Sequence, residues 1–483
     1  MKMDVLLPLL ISLLLLCGSF AIIFLTNKGK VRPLRLPPGK TGWPILGETL
    51  QFLLSGRKGR LEEFVHTRRE KYSPEVFTTS LFGHNMAFFC SASGNKFLFA
   101  SENKLVTSWW PQTISKILMD PSISRDSTDK KLKFSRSVIL DFLKPDALRN
   151  YIPTMDLVAR EQIATEWAPK REVVVLDLAR KYTFWLACRL LMGIQEPENV
   201  AKLMNHFEAV VAGILSVPID FPGTTFNQGI KKARFLRKEL LSIIKATKTS
   251  LEERKDKCVK DIITHVLLLP PDENVNFRSD VIIADLILGL LIGGYDTTAT
   301  TITFLIKYLA ELPHVYQQVL KEHTEIAKCK GPKEFLNWGD IQKMKYSWNV
   351  ACEVLRLVPP SQIGFKEAIA DFTFAGFTIP KGWKTCWSVH STHKNPNYFS
   401  NPEKFDPTRF EGNGPAPYTF VPFGGGPRMC PGKEFARVEI LVFLHNLVTK
   451  FKWEKINPNE KTVFTPIPVP QSGLPVRLWP IEN

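Results

Sequence analysis

The segment Phe423-Gly424-Gly425-Gly426-Pro427-Arg428-Met429-Cys430-Pro431-Gly432 constrains this chain more than any other, because it joins a glycine-rich loop to an amphipathic helix through one cysteine. Glycines at 424–426 let the backbone approach a flat ligand closely, and Pro427 and Pro431 remove amide donors that would compete for pairing. From Lys433 onward, Phe435, Val438, Leu441, Leu444 and Leu447 recur on one side. This predicts a helix whose free amides and positive dipole end point at the sulfur, a setting that favours thiolate over thiol. Such a thiolate suits a metal ligand or a nucleophile, whereas a lone cysteine is most often a small buried apolar side chain. The loop alone leaves these readings open.

The other cysteines narrow the compartment. Cys17, Cys90, Cys188, Cys258, Cys329, Cys352 and Cys386 are scattered without CxxC pairs, which is the spacing of neither a disulfide framework nor a zinc site, and a reducing compartment follows. Lysine and arginine number 63 against 47 aspartates and glutamates. No basic run with interleaved aromatics points to nucleic acid, so the excess fits an anionic membrane surface or an acidic protein partner. Val5 to Leu25 is a run of 21 residues without a charge, long enough to cross a bilayer core of about 30 Å as a helix. Lys28, Lys30, Arg32 and Arg35 follow it, which predicts a retained anchor with the bulk of the chain on the cytosolic side rather than a cleaved signal. Residues 1–26 then form a transmembrane anchor and 27–44 a basic, proline-rich hinge ending beyond Leu36-Pro37-Pro38-Gly39. With no linker, repeat or low-complexity tract after them, residues 45–483 are expected to form one large domain.

Strand-like runs are few: Val76 to Leu81 and Met86 to Cys90 around Gly83-His84-Asn85, and Phe372 to Pro380. Apolar helical periods occupy about 155–168, 178–193, 228–250, 280–311, 341–357 and 433–450. The expected class is mainly α with a small β-rich region. Within 341–357, Glu353 and Arg356 share a helix face at i,i+3, and the apolar residues around them predict burial rather than an exposed pair. The 280–311 helix carries Gly293-Gly294-Tyr295-Asp296-Thr297-Thr298 at its centre. Each glycine there costs about 1 kcal/mol relative to alanine, which is tolerated where the backbone must distort or something must approach it.

Phe423, Gly426, Arg428, Cys430 and Gly432 fill every fixed position of FxxGxRxCxG, which resembles the haem-binding signature of the cytochrome P450 superfamily. The resemblance implies the P450 fold, haem b with Cys430 on its iron, and a thiolate that favours O–O cleavage. It also implies an Asp296–Thr297 pair that delivers protons to the reacting oxygen while the helix opens locally to admit water. Glu353, Arg356 and Arg409 (in Pro407-Thr408-Arg409-Phe410) match the family's Glu-Arg-Arg cluster, a structural network behind the haem. Phe423 and Arg428 would sit at the cofactor and Arg428 at a propionate. Arg136 stands where a WxxxR-like helix is expected, though Leu132 replaces the usual aromatic or histidine. Lys366 stands where relatives carry arginine, keeping the charge but losing the planar fork.

A closer resemblance rests on LPPGKTGWP at 36–44, NKLVTSWWP at 103–111, KYSWNVACEVLRL at 345–357 and the run from Lys404 to Phe443. These are similar to plant P450s that oxidise triterpene skeletons, of the β-amyrin 28-oxidase type, with taxane hydroxylases as cousins. The implied activity is oxidation of a polycyclic terpenoid, at C-28 of a pentacyclic skeleton or in several steps to the acid. O2 and electrons from NADPH through a separate flavoprotein reductase would drive it, at the endoplasmic reticulum membrane. The loop Ser216-Val217-Pro218-Ile219-Asp220-Phe221-Pro222-Gly223 reads as an apolar lip on that membrane. Trp109, Trp110, Leu291, Ile292, Phe365 and Ile467 to Pro470 are candidate pocket walls. A taxane-type diterpene hydroxylase is the nearest alternative. A haem-thiolate isomerase or dehydratase needing no reductase is the alternative of another class, and Asp296-Thr297 counts against it.

Overall fold

The helix Asp280–Glu311 organises the molecule, and the sequence starts it sharply: Ser279 caps it by accepting from the Ile282 amide. At 32 residues it runs about 48 Å, and it serves two cores in turn. Its first half, from Ile282 to Tyr295, packs with the helices Val175–Met192, Pro197–Ile214 and Thr225–Glu253. Its second half, from Ala299 to Leu309, packs with Pro145–Gln162, Pro313–Lys328, Lys345–Leu357 and Lys433–Val448. The computed structural model describes residues 34–43, 46–119, 128–253, 259, 261–270, 279–331, 333–464 and 467–481. The expected anchor at 1–26 and part of the hinge lie outside these residues.

Twelve short strands complete the fold among the described residues: β1 Val76–Leu81, β2 His84–Phe89, β3 Val106–Ser108, β4 Glu172–Val174, β5 Ile363–Ala368, β6 Phe372–Phe374, β7 Phe377–Ile379, β8 Lys384–Ser388, β9 Phe451–Lys455, β10 Thr462–Phe464, β11 Pro468–Pro470 and β12 Pro475–Pro480. The largest sheet has the order β1-β2-β8-β5-β3, in which β2 and β8 run parallel and the other neighbours antiparallel. Hairpins β6-β7 and β10-β11 and the sheet β4-β12-β9 stand apart. The expected first hairpin and the 372–380 hairpin are present; β3, β4, β5, β8 and the strands after residue 450 are additional. Most are three to six residues long, too short to show a period of two.

The stretch expected as one helix over 341–357 is two, Trp338–Lys343 and Lys345–Leu357. Asn337 and Asp340 form a capping box on the first. The second is capped from outside its own sequence: the Glu322 carboxylate accepts from the amides of Tyr346 and Ser347, at 2.8 and 3.0 Å. The helix expected near 155–168 begins earlier, with Pro145 at its first turn, and its end, Ile163–Trp167, widens into a π-helical turn.

Glu353 and Arg356 are fully buried and form a two-pronged pair, Nε to Oε2 at 2.7 Å and Nη2 to Oε1 at 2.8 Å. Arg409 stands 3.4 Å from the same carboxylate, and the Asp406 amide donates to it at 2.8 Å. Arg356 also donates to the carbonyls of His393 and Lys404. Removing one partner of such a buried pair leaves an uncompensated charge, so Arg356→Met should destabilise the protein by about 3–5 kcal/mol. Glu353→Leu with Arg356→Met should be milder than the sum of the single changes. Denaturant unfolding of the single and double variants measures both, and strictly additive losses would show the pair to be uncoupled.

Candidate active site

Cys430 lies in the loop that the lock around Arg356 reaches. His393 donates through Nδ1 to the Arg356 carbonyl (3.1 Å) and accepts at Nε2 from the Val421 amide (2.8 Å). Burial drives its pKa far down, so the ring is neutral and suited to that double role. Val421 accepts from the Gly424 amide, and the half-buried Phe423 accepts at its carbonyl from the Cys430 amide at 2.9 Å. Gly426 has φ +66°, and a Cβ there would lie 2.4 Å from the Phe99 carbonyl oxygen. Gly425 would meet the Phe99 ring at the same separation. Two of the three glycines therefore answer to the helix Ala92–Ala100, not to a ligand face.

The sulfur is accessible, and so is the surface around it. Residues 431–437 are only half-buried although the rest of the helix, Val438 to Val448, is buried. This helix meets the central helix where Glu439 faces Thr298. Burial raises the pKa of Glu439 far above the carboxylate range, so it is held neutral there. On the central helix, Gly289, Gly293, Gly294 and Thr297, with the partly buried Leu290 and Ile292, are the residues between 289 and 297 that are not buried, and a Cβ at any of the three glycines would meet nothing within 4 Å.

Opposing effects act on the thiol. Burial by the surrounding protein raises the Cys430 pKa and outweighs the Gly432 amide and the Arg136 charge, which both lower it. The helix end is present as expected, but it does not overcome desolvation; bonding to a metal would, since a coordinating thiol is deprotonated outright.

Arg136, Arg428 and Lys366 come together near this loop. Arg136 donates to the Met429 carbonyl at 2.8 Å, and its own pKa is lowered by burial and by Arg428. Lys366, buried in β5, forms an ion pair with Glu102, and Arg428 Nε stands 3.2 Å from the same carboxylate. Lys366 is thus engaged by a protein carboxylate, a partner that sequence reasoning missed. Glu102 lies one residue before the recognisable 103–111 segment, and nothing in its local pattern marks it. An exposed cysteine, a helix face with three glycines, and a cluster of three cations, two of them paired with Glu102, match the needs of a planar iron cofactor with an acidic edge.

The Asp-Thr pair divides. Thr297 lies on the open face and donates to the Gly293 carbonyl at 2.7 Å. Asp296 is buried on the opposite side, held by Arg180 at 2.7 Å. The helix is continuous through both, without the local opening that sequence reasoning anticipated; Thr297, Thr301 and Thr303 bond back to carbonyls four residues earlier and leave the ladder closed. Leu291 is buried in the core against Phe184 and Phe207 and does not line the open face.

Residues 37–474 match the family model described as Cytochrome P450. The chain is 54% identical over 478 residues to a beta-amyrin 28-monooxygenase of Solanum lycopersicum, covering 99% of each chain. It is 54% identical to the protein of that name from Medicago truncatula, covering 97% of this chain and 98% of the relative. A protopanaxadiol 6-hydroxylase of Panax ginseng is 53% identical, over 97% of this chain and 98% of its own. Among solved structures, retinoic-acid-bound cyanobacterial CYP120A1 superposes with a TM-score of 0.80 at 32% identity, covering 93% of this chain and all of that one. A thiol so placed, in a fold so shared, makes this chain a member of the cytochrome P450 family.

Proposed function

We propose that this enzyme oxidises a pentacyclic triterpene of the β-amyrin type, and the observation that carries the reading is 54% identity along essentially the whole chain to proteins named for that reaction. Haem bound through Cys430 supplies oxygen activation, with electrons drawn from NADPH through a separate reductase. The chain does the rest. Arg136, Arg428 and Lys366 would hold the acidic edge of the cofactor, and Phe423 fixes the cysteine backbone through its carbonyl. Gly289, Gly293 and Gly294 keep side chains off one face of the central helix, which makes room for a wide, rigid skeleton. Such a skeleton offers few hydrogen-bonding groups, so it is held by shape and by buried area at about 25 cal/mol per Å².

Thr297 holds a proton at Oγ1 on the open face, and Asp296 is the acid on the side that Arg180, itself half-buried, connects toward solvent. Membrane delivery suits the substrate. The loop between Pro197–Ile214 and Thr225–Glu253 exposes Val217, Ile219 and Phe221, at 64%, 56% and 66% of their surfaces. A second exposed apolar set, Trp43 at the end of the basic hinge and Leu46, Leu50, Leu53 and Leu54 after it, lies near the N-terminus of the domain. Both suit a catalytic domain resting on the cytosolic face of the endoplasmic reticulum with 1–26 as its anchor.

Expressed in microsomes with reductase and NADPH, the protein should oxygenate β-amyrin. α-Amyrin and lupeol should follow less well, since one methyl in an apolar site discriminates by only about 1–3 kcal/mol. A low-to-high-spin shift of the haem spectrum reports binding independently. Turnover confined to a fatty acid or a phenylpropanoid would sink the substrate assignment. Thr297→Ala should leave that spin shift intact while NADPH consumption separates from product by tenfold or more, on the order of what a positioned proton donor contributes; unchanged coupling removes its role. For the lip, Ile219→Asp with Phe221→Asp, in a form lacking residues 1–26, should weaken flotation with liposomes of neutral and anionic phospholipid. Equal flotation would place the contact elsewhere.

A further inference from the structure

Glu102 is a buried carboxylate among the cations assigned to the cofactor's acidic edge. Its position is built. After the helix Ala92–Ala100 the chain turns tightly: the amides of Lys104, Leu105 and Val106 all donate to the Ser101 carbonyl, and the Asn103 amide donates to Val106 at 2.7 Å. Asn103 takes φ +59° to make that turn, a conformation asparagine tolerates better than most residues. The β3–β5 register then sets Ser108 opposite Lys366, and Ser108 donates to Glu102 at 3.4 Å. One carboxylate thus receives Lys366, Arg428 and Ser108 together.

The charges can be counted. Arg136, Lys366 and Arg428 are three cations, Glu102 is one anion, and the two propionates of haem b bring the anions to three. Lysine is a point charge on a flexible stem and lacks the fork that lets arginine grip a carboxylate in a fixed orientation. Buried lysine also needs an anion to stay charged.

We propose that Glu102 is a positioning residue for the haem: it fixes Lys366 and Arg428 toward the propionates, balances the local charge, and so sets the potential at which the iron accepts its electron. This rests on the haem-thiolate reading of Cys430. Glu102→Gln removes one negative charge and leaves the side chain's size, so the reduced iron is favoured. The midpoint potential of the full-length enzyme should move positive by about a tenfold change in the ferrous-to-ferric ratio, which is about 59 mV for one electron. Lys366→Met should move it the other way, and the double variant should return close to the parent value. Glu102→Asp, which keeps the charge, should restore most of the potential.

Spectroelectrochemical titration in microsomes or nanodiscs reads the potentials, with the carbon monoxide difference spectrum as the check on ligation. A parent protein without the red-shifted Soret band would overturn the haem-thiolate reading itself. A normal band with an unmoved potential in Glu102→Gln would overturn only the role of Glu102. Should Glu102→Gln fail to accumulate, the double variant decides: a potential equal to that of Lys366→Met alone shows that removing the Glu102 charge does not move the iron's potential and sinks the proposal.

Discussion

The site depends on a buried guanidinium. Arg356 makes four hydrogen bonds: Glu353 takes two, and the carbonyls of His393 and Lys404 take one each. From His393 the order passes to Val421, then Gly424 and Phe423, and so to the amide of Cys430. A charge that cannot be hydrated inside the protein must find fixed partners. Here those partners are segments distant in sequence, so the demand of one arginine for ligands aligns the loop that carries the sulfur. The network touches no reactive atom among the described residues, yet the cysteine backbone hangs from it.

Much of this was legible in the sequence wherever a residue's environment is set by its neighbours in the chain. The central helix matches its predicted ends at Asp280 and Glu311 because an apolar run and the Ser279 cap are local signals. Burial of Glu353 and Arg356 followed from the apolar faces around them. What escaped was set by residues far away. The break before Lys345 is stabilised by Glu322, and the partner of Lys366 is Glu102, 264 positions earlier. Asp296 and Thr297 are adjacent in sequence, but successive helix residues point about 100° apart; Arg180, from another helix, takes the first and leaves the second on the open face.

The thiol shows how competing terms are decided by depth. A helix terminus and a nearby guanidinium each favour the charged sulfur, and both are present. Neither outweighs desolvation, since the stabilisation offered by a helix end is typically 0.3–1 kcal/mol while burial of a charge costs several. The same depth explains why Lys366 must be neutralised while the lysines and arginines at the surface need no such partner.

The glycine face of the central helix carries the last step. Gly289, Gly293 and Gly294 together cost about 3 kcal/mol relative to alanine, and no neighbouring side chain requires them, since a Cβ at each would meet nothing. Helix packing is therefore not the reason for them, in contrast to Gly213 and Gly229, whose Cα atoms approach one another so closely that an added Cβ would lie 2.7 Å away. The helix remains continuous despite them because its other faces are buried in two cores and Thr297 closes back on Gly293. Stability taken from the middle of the central helix thus appears as open surface where three positions carry no side chain. A rigid polycycle of this kind needs such a surface, because it cannot bend around a side chain and has few polar groups with which to displace one.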